Sequence, residues 1–418
     1  MTDDFGGNVL VVGLARSGNA AAEVLIARGD GVVAFDRNEA VDVGRLRELG
    51  VEVHLGLEEE KLLQGIDLVV KSPGVPGETL LVASARRRGI PVWSEIELGA
   101  QLLSNPILGV TGTNGKTTTS ELLGEVFRAA DRPVEVAGNV GRPLSSLVGA
   151  IDPDTWIVCE LSSFQLEDVE TLNPEIGVLL NLEPDHLDRH GSFEAYSAAK
   201  LRLFERQSND DTAVVPRGFG AVPGAGRRVE FDAGDELPVE PRIPGPHNRE
   251  NAAAATAAAR VAGIADDAIA EGLRTFPGVP HRIELVRELR GVRYVNDSKA
   301  TNVAATLRAL ASFPRSRLHV LLGGRGKAEP YAPLAAAFGA DDRGYLIGEA
   351  AREIGAALMS AGVPCSDVGD LESAVAEASA NARAGDVVLL SPACASFDQF
   401  EDFEARGDEF RRLVEALL

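Results

Sequence analysis

Cysteine is nearly missing from this chain: Cys159, Cys365 and Cys394 are the only three in 418 residues, odd in number and scattered. That excludes a disulfide framework and leaves no thiolate pair at metal-ligand spacing, a usage that suits a reducing cytosol, so a cytoplasmic protein is expected. Long apolar runs are lacking too. No stretch reaches the roughly 20 residues needed to cross a bilayer, and membrane insertion is not expected. The N-terminus has no basic region leading into a signal core, and Val9–Val12 reads as a short strand. Basic residues are the third shortage, with 41 Lys and Arg against 63 Asp and Glu and a net charge of −22. Such a surface repels nucleic acid and acidic membranes, so neither is expected as a partner. The acidic surplus is spread along the chain and serves solubility. Anionic substrates must therefore be drawn by local clusters.

What is present is a long alternation of β-branched and aliphatic runs with Ala/Leu/Glu-rich segments, the pattern of an α/β protein with parallel sheets. The length exceeds a single core, and three blocks are expected: 1–104, 105–278 and 279–418. The first opens with strand 8–12, the turn Gly13-Leu14-Ala15-Arg16-Ser17-Gly18 and a helix over 19–28. Strands at 31–35, 67–71 and 91–93 complete a small doubly wound, Rossmann-like sheet. Ala15 stands where the dinucleotide fingerprint has its middle glycine, so the turn reads as a phosphate-accepting turn rather than an NAD site. Asp36 ends the second strand, where a carboxylate can accept hydrogen bonds from a ribose or a base.

The second block carries the most informative motif, Gly112-Thr113-Asn114-Gly115-Lys116-Thr117-Thr118, between an apolar run at 106–110 and a helical pattern through Arg128. Strand, glycine turn and helix N-terminus together make an anion site. Backbone N–H groups cradle phosphates, Lys116 adds a charge and a threonine hydroxyl can ligate Mg²⁺. The spacing is not the usual P-loop, since Val110 occupies the first glycine's place. Strand 156–159 ends in Glu160, the position of a carboxylate that holds Mg²⁺. Strand 176–180 ends in Asn181, followed by Leu-Glu-Pro-Asp-His-Leu-Asp-Arg-His. His186 and His190 are spaced i,i+4 as a zinc pair would be, yet their carboxylate neighbours suit a hard cation better. His186 is the functional candidate and His190 the structural one. Lys200 on an amphipathic helix reads, on its own, as a solvated or snorkelling lysine. A poorly periodic stretch over 209–246 leads to an Ala-rich helix over 250–262. Asn248 can cap that helix, and Asn248 and Asn251 can present two amides to an adenine edge.

A boundary is expected at Phe276-Pro277-Gly278-Val279-Pro280, just before Arg282, which can close onto phosphates at a hinge. The third block has strands at 292–295, 318–322, 344–347 and 386–390, a second Rossmann-like doubly wound sheet. Three of its strand ends carry polar loops. Asn296-Asp297-Ser298-Lys299-Ala300-Thr301-Asn302 offers Asp297 to ribose hydroxyls and Lys299 to an anion. Gly323-Gly324-Arg325-Gly326-Lys327 repeats the arrangement after the next strand, and two basic, glycine-lined strand ends side by side make a pocket for an acidic small molecule; Ser391-Pro392-Ala393-Cys394-Ala395-Ser396 does likewise after the last strand. Ser396 with Gln399 matches a capping box, and a helix capped there would favour a carboxylate.

These strings, in this order and across all three blocks, resemble the Mur ligases. Asn296–Asn302 and Ser391–Ser396 are most similar to the members that add D-glutamate. The resemblance implies an ATP-dependent ligase of peptidoglycan precursor synthesis that joins D-glutamate to UDP-N-acetylmuramoyl-L-alanine (UDP-MurNAc-L-Ala) through an acyl phosphate. It implies ATP and two Mg²⁺ ions, with Lys116 on the β/γ-phosphates, Thr117 and Glu160 serving one ion, and His186 and a carbamylated Lys200 the other. Asn248, Asn251, Arg282 and Asp297 would hold ATP. Lys299, Thr301, Lys327, Ser396 and Phe403 would surround D-glutamate. Arg16, Ser17, Asp36, Arg37, Ser72, Pro73 and Gly74 would receive the uridine diphosphate, and Asn139, Ser162 and Gln165 the sugar–peptide arm. A monomer is expected, with domain closure, and a 209–246 stretch lacking part of a peripheral sheet. Left open are another amino-acid ligase, including a folylpolyglutamate synthase-like one, and a nucleotide-regulated sensor.

Overall fold

The computed structural model describes residues 7–243, 245–326 and 329–418. The chain divides into two compact units, 1–276 and 277–418, so the proline-rich boundary is where the contacts part. Lys327 lies outside the described residues.

The first unit holds two parallel sheets. In one, β1 (Asn8–Val12), β2 (Gly31–Asp36), β3 (Glu52–Leu55), β4 (Leu68–Lys71) and β5 (Val92–Ser94) are ordered β3-β2-β1-β4-β5. The order reverses between β1 and β4, which run in register from Val9↔Leu68 to Val12↔Lys71. A crevice opens above the carboxyl ends of such a pair, and β1 and β4 are apolar because both faces are covered. Gly18 makes the close turn possible. A Cβ on it would lie 1.7 Å from the Gly13 carbonyl oxygen, so only glycine lets the helix Arg16–Arg28 start this near the strand.

The second sheet contains β6 (Ile107–Thr111), β7 (Val134–Gly138), β8 (Trp156–Glu160), β9 (Ile176–Leu179), β10 (Thr212–Pro216) and β11 (Arg227–Phe231), ordered β11-β10-β9-β6-β8-β7. β6 sits between β8 and β9, so the loops after these three strands emerge side by side. The stretch expected to be irregular supplies β10 and β11, two parallel strands at the sheet edge. β10 is a short apolar run, β11 reads Arg-Arg-Val-Glu-Phe, and no helix stands between them, which hid the pair from pattern reading.

The expected division after residue 104 lies within this first unit, where the helix Glu95–Leu102 is hydrogen-bonded to the segments that follow β7 and β8. Ser94 caps it by accepting from the Glu97 amide at 3.2 Å. Glu97 accepts from the amides of Glu170, Thr171 and Leu172 at 2.9–3.1 Å. Glu95, fully buried, accepts from the amide and hydroxyl of Ser145 at 2.6 and 2.7 Å.

The second unit has β12 (Glu284–Leu289), β13 (Val292–Asn296), β14 (Leu318–Gly323), β15 (Arg343–Ile347), β16 (Cys365–Gly369) and β17 (Val387–Leu390), ordered β12-β13-β17-β14-β15-β16. β12 is antiparallel to β13 and the rest are parallel, so the sheet is mixed rather than purely doubly wound. The hairpin turns on Arg290 and Gly291, both at positive φ, as a type I′ turn needs. An arginine in the first of those places is a weak sequence signal, and β12 is not legible from it. β17 is completely buried between β13 and β14, placing the loops after β13, β17 and β14 next to one another.

Candidate active site

In the first unit, the turn after β6 leads into the helix Lys116–Ala129 through Gly115 at φ +85°. A side chain there would be strained, and its Cβ would fall 2.2 Å from Asn251 Oδ1. Asn251 thus packs directly against the loop. Asn181, just past β9, clamps it from the other side: its carbonyl accepts from the Thr113 amide at 3.0 Å and its Oδ1 from the Asn114 amide at 2.8 Å. These two amides are therefore engaged, and an anion at the loop would meet the first turn of the helix, where Thr117 and Thr118 are buried.

Two lysine ammonium groups converge on one carbonyl. Lys116 Nζ donates to the oxygens of Gly112 and Thr113, both at 2.9 Å, and Lys200 Nζ donates to Gly112 at 2.8 Å. The solvated reading of Lys200 is wrong, since the side chain is 2% exposed. Burial, then the neighbouring Lys116 charge, pulls its pKa from 10.5 down to about 7. A large neutral fraction near neutrality follows. Tyr196 covers the ammonium, with its ring centroid 4.9 Å away and its hydroxyl 2.9 Å from Thr113 Oγ1.

Glu160 ends β8 beside this loop and is almost fully buried. Its Oε1 accepts from Asn139 Nδ2 at 3.0 Å, while Oε2 is buried without a hydrogen-bond partner. An orphaned carboxylate oxygen is costly unless something cationic satisfies it, and with the Thr117 hydroxyl it is a donor set suited to a hard cation. Among the described residues no three His, Cys, Asp or Glu side chains form a metal cage, so phosphate and water would have to complete any coordination. His186, at φ +50° before a short helix, is exposed and lies 4.9 Å ring to ring from Phe164. His190 is held by Glu167 at 3.0 Å and Ser163 at 3.0 Å.

Ser162 and Gln165 cap the helix Ser163–Leu166 reciprocally: Gln165 Oε1 accepts from the Ser162 amide at 2.9 Å, and Ser162 Oγ accepts from the Gln165 amide at 3.3 Å. A capping box is thus present at Ser162 and Gln165. None forms at Ser396, which precedes turns. The next helix starts at Phe403, capped by Asp402 through the Ala405 amide at 2.7 Å. Nor does Asn248 cap the Ala-rich helix: that helix begins at Pro246 after Gly245, leaving Asn248 and Asn251 buried on one face.

Above β1 and β4 lies a cleft of about 900 Å³ whose lining includes Arg16, Ser17, Asp36, Arg37, Ser72 and Asn139. Pro73 and Gly74 line it too, so every residue expected at the uridine end, and one from the sugar arm, meets there. Asp36 also organises the turn: it accepts from the amides of Leu14 at 2.6 Å and Asn38 at 2.7 Å.

In the second unit the three polar strand ends come together. Asp297, buried after β13, accepts from Ser391 Oγ at 2.8 Å and from the Ile283 amide at 3.2 Å. Burial raises its carboxyl to about 7, against the lowering effect of these hydrogen bonds and of Arg282 and Arg308. Arg325 and Ala395 exchange backbone hydrogen bonds at 2.8 and 3.1 Å, fixing the loop after β14 to that after β17. Lys299 Nζ is 5.6 Å from the Phe403 ring, Ser396 is buried and Thr301 is half-buried. Sequence reasoning missed Arg406. Fully buried, it donates to Ser298 Oγ at 2.9 Å and to the Cys394 carbonyl at 3.2 Å, tying two of the loops. Its only sequence signal is an arginine on the inward face of the helix Phe403–Glu415.

Comparison with known proteins matches three parts of the chain to one family. Residues 7–94 match the model of the Mur ligase MurD-like N-terminal domain, 110–218 that of the Mur ligase middle domain, and 281–394 that of the Mur ligase glutamate ligase domain. The UDP-N-acetylmuramoylalanine–D-glutamate ligase of Anaeromyxobacter dehalogenans is 46% identical over 98% of this chain and 97% of its own. The enzyme of the same name from Myxococcus xanthus is 42% identical over 99% of each. Among solved structures, MurF ligase from Thermotoga maritima in complex with ADP shares the fold at TM-score 0.59 and 18% identity, over 98% of this chain and 95% of that one. The chain belongs to the Mur ligase family, among its MurD-like members.

Proposed function

We propose that this protein joins D-glutamate to UDP-MurNAc-L-Ala at the expense of ATP, as its relatives' name describes. The observation that carries the chemistry is the pairing, at adjacent strand ends, of the two-lysine phosphate loop with a buried, unsatisfied Glu160 oxygen. A carboxylate is a poor acyl donor because its leaving group would be oxide. Attack of the L-alanyl carboxylate on the γ-phosphorus breaks the bond to ADP and gives an acyl phosphate. The neutral amine of D-glutamate then attacks the acyl carbon, phosphate leaves and the amine gives up a proton.

Each step gathers negative charge, which the local cations of this acidic protein must offset. Lys116 is assigned to the β/γ-phosphates. Glu160 and Thr117 would hold Mg²⁺, which when bound neutralises phosphate charge. His186 is assigned with Lys200 to a second ion, and Lys200 can join it only after its neutral amine takes up CO₂ and releases a proton, becoming an anionic carbamate. Asn248, Asn251, Arg282 and Asp297 are assigned to ATP. Lys299, Thr301, Lys327, Ser396 and Phe403 are assigned to D-glutamate. The Arg16–Asn139 cleft takes the uridine diphosphate end, with Ser162 and Gln165 toward the peptide arm. Blocks 1–104, 105–278 and 279–418 divide these three tasks, in a cytoplasmic monomer. Among the described residues no helix is long and apolar enough to cross a membrane.

The test is ADP release with ATP and Mg²⁺, adding UDP-MurNAc-L-Ala and D-glutamate singly and together. Dependence on both is expected. Release indifferent to D-glutamate, or equal rates with L-glutamate, L-lysine or meso-diaminopimelate, would overturn the assignment.

A further inference from the structure

The cleft above β1 and β4 has one wall, residues 72–79, that belongs to no helix or strand. Two cations hold it from beneath. Lys71, the last residue of β4 and fully buried, donates from Nζ to the Val75 carbonyl at 3.2 Å. Arg86 donates from Nη1 to the Gly77 carbonyl at 3.3 Å. Both turn to the same carboxylate: Lys71 Nζ stands 3.0 Å from Asp168 Oδ2 and Arg86 Nη2 2.5 Å from Asp168 Oδ1.

Asp168 is not part of the cleft sheet. It comes from the segment after β8 that carries the Ser162–Gln165 capping box, and its own carbonyl accepts from the Ser94 amide at 2.8 Å. With side chains 0% and 5% exposed, Lys71 and Asp168 form a dry ion pair. Such a pair contributes little net stability against apolar replacements but fixes geometry sharply, because neither partner tolerates losing the other.

We propose that Asp168, through Lys71 and Arg86, is the positioning residue that sets the 72–79 wall for the nucleotide-diphosphate end of the substrate. The inference rests on the assignment of that cleft to the uridine diphosphate. It makes no use of the phosphate loop, so loss of the clamp is felt by one substrate of the three.

The test uses the full chain with UDP alone as a binding probe and, separately, steady-state kinetics. Arg86→Gln is the mild variant, since Arg86 is half-exposed and its removal leaves the Lys71–Asp168 pair intact. Asp168→Asn is the severe one, and Lys71→Met with Asp168→Leu removes both charges together and keeps the fold testable. About a tenfold rise, equivalent to about 1.4 kcal/mol, is expected in the UDP Kd and in KM for UDP-MurNAc-L-Ala. KM for ATP and D-glutamate and kcat should stay within about twofold, and Arg86→Lys should recover part of the affinity. Equal losses for all three substrates, or unchanged UDP affinity in Arg86→Gln and Asp168→Asn, would overturn the clamp. The cleft assignment fails separately, and the clamp with it, if the unaltered protein does not bind UDP. If it does bind, and Arg16→Ala weakens binding while the clamp variants do not, only the clamp is lost.

Discussion

Replacing Asp297 by asparagine should stabilise the second unit at high pH and do little for it at low pH. The carboxyl has an ordinary pKa of 3.8 and is raised to about 7 in the fold, chiefly by burial. A raised folded-state pKa means that the native state holds its proton more tightly than the unfolded chain. The stabilisation from this group is full below 3.8 and is lost as pH rises through about 7. Above that, the folded protein carries a buried carboxylate that the unfolded chain would carry in water. The cost at pH 8 is ~4 kcal/mol, falling to about 2 kcal/mol at pH 5. Asparagine removes this charge, keeps one oxygen to accept from Ser391 or the Ile283 amide, and forfeits about 1 kcal/mol of hydrogen bonding. The net gain is ~3 kcal/mol at pH 8 and about 1 kcal/mol or less at pH 5. Urea unfolding followed by far-UV circular dichroism reads both units, so the second unit's transition is the part of it that fluorescence does not share. Fluorescence supplies the control, because the protein's two tryptophans, Trp93 and Trp156, both lie in the first. An advantage equal at the two pH values, or a variant less stable at pH 8, would refute the reasoning. If Asp297 also serves ATP, the stabilised variant turns over more slowly.

Lys116→Ala should abolish turnover, checked by ADP release, because the loop then keeps no cation of its own; normal activity would remove the phosphate-loop assignment. Lys200→Ala should be nearly inactive and partly rescued by short carboxylates, which supply the anion a carbamate would have provided; an unaffected rate would return Lys200 to a packing role. Glu160→Gln should lower kcat by about a hundredfold or more and raise the Mg²⁺ concentration needed for half-maximal rate. An unchanged Mg²⁺ titration would mean that the orphaned oxygen serves something else. Gly407→Ala should destabilise the second unit by about 1–3 kcal/mol, since the new Cβ would lie 2.0 Å from His281 Nδ1. Thermal unfolding measures it, and an unchanged Tm would show that the helix can shift.

Local chemistry made much of this protein readable without coordinates. Glycines, a lysine and threonines between an apolar run and a helical pattern announce a phosphate loop because each acts through its own backbone or its immediate neighbours. Strand ends marked by Glu160, Asn181, Asp297 and Ser391 are legible for the same reason, since buried parallel strands are apolar and their ends are not. Elements whose stability comes from elsewhere stayed hidden. β10, β11 and β12 are held by sheet neighbours rather than by their own pattern, and Ser396 resembles a cap although the backbone after it forms turns.

Identity of residues decided which groups could do chemistry, and only the fold decided their state. Lys200 has the same composition on paper as any surface lysine. Closing Tyr196 and the Gly112 carbonyl over it removes the water that would keep it charged. Arg406, Lys71 and Asp168 tell the same story from the other side: charges with no motif around them, whose partners lie tens of residues away in sequence. Spacing along a chain encodes contacts within a few residues, whereas desolvation and long-range pairing exist only once the sheets have been stacked.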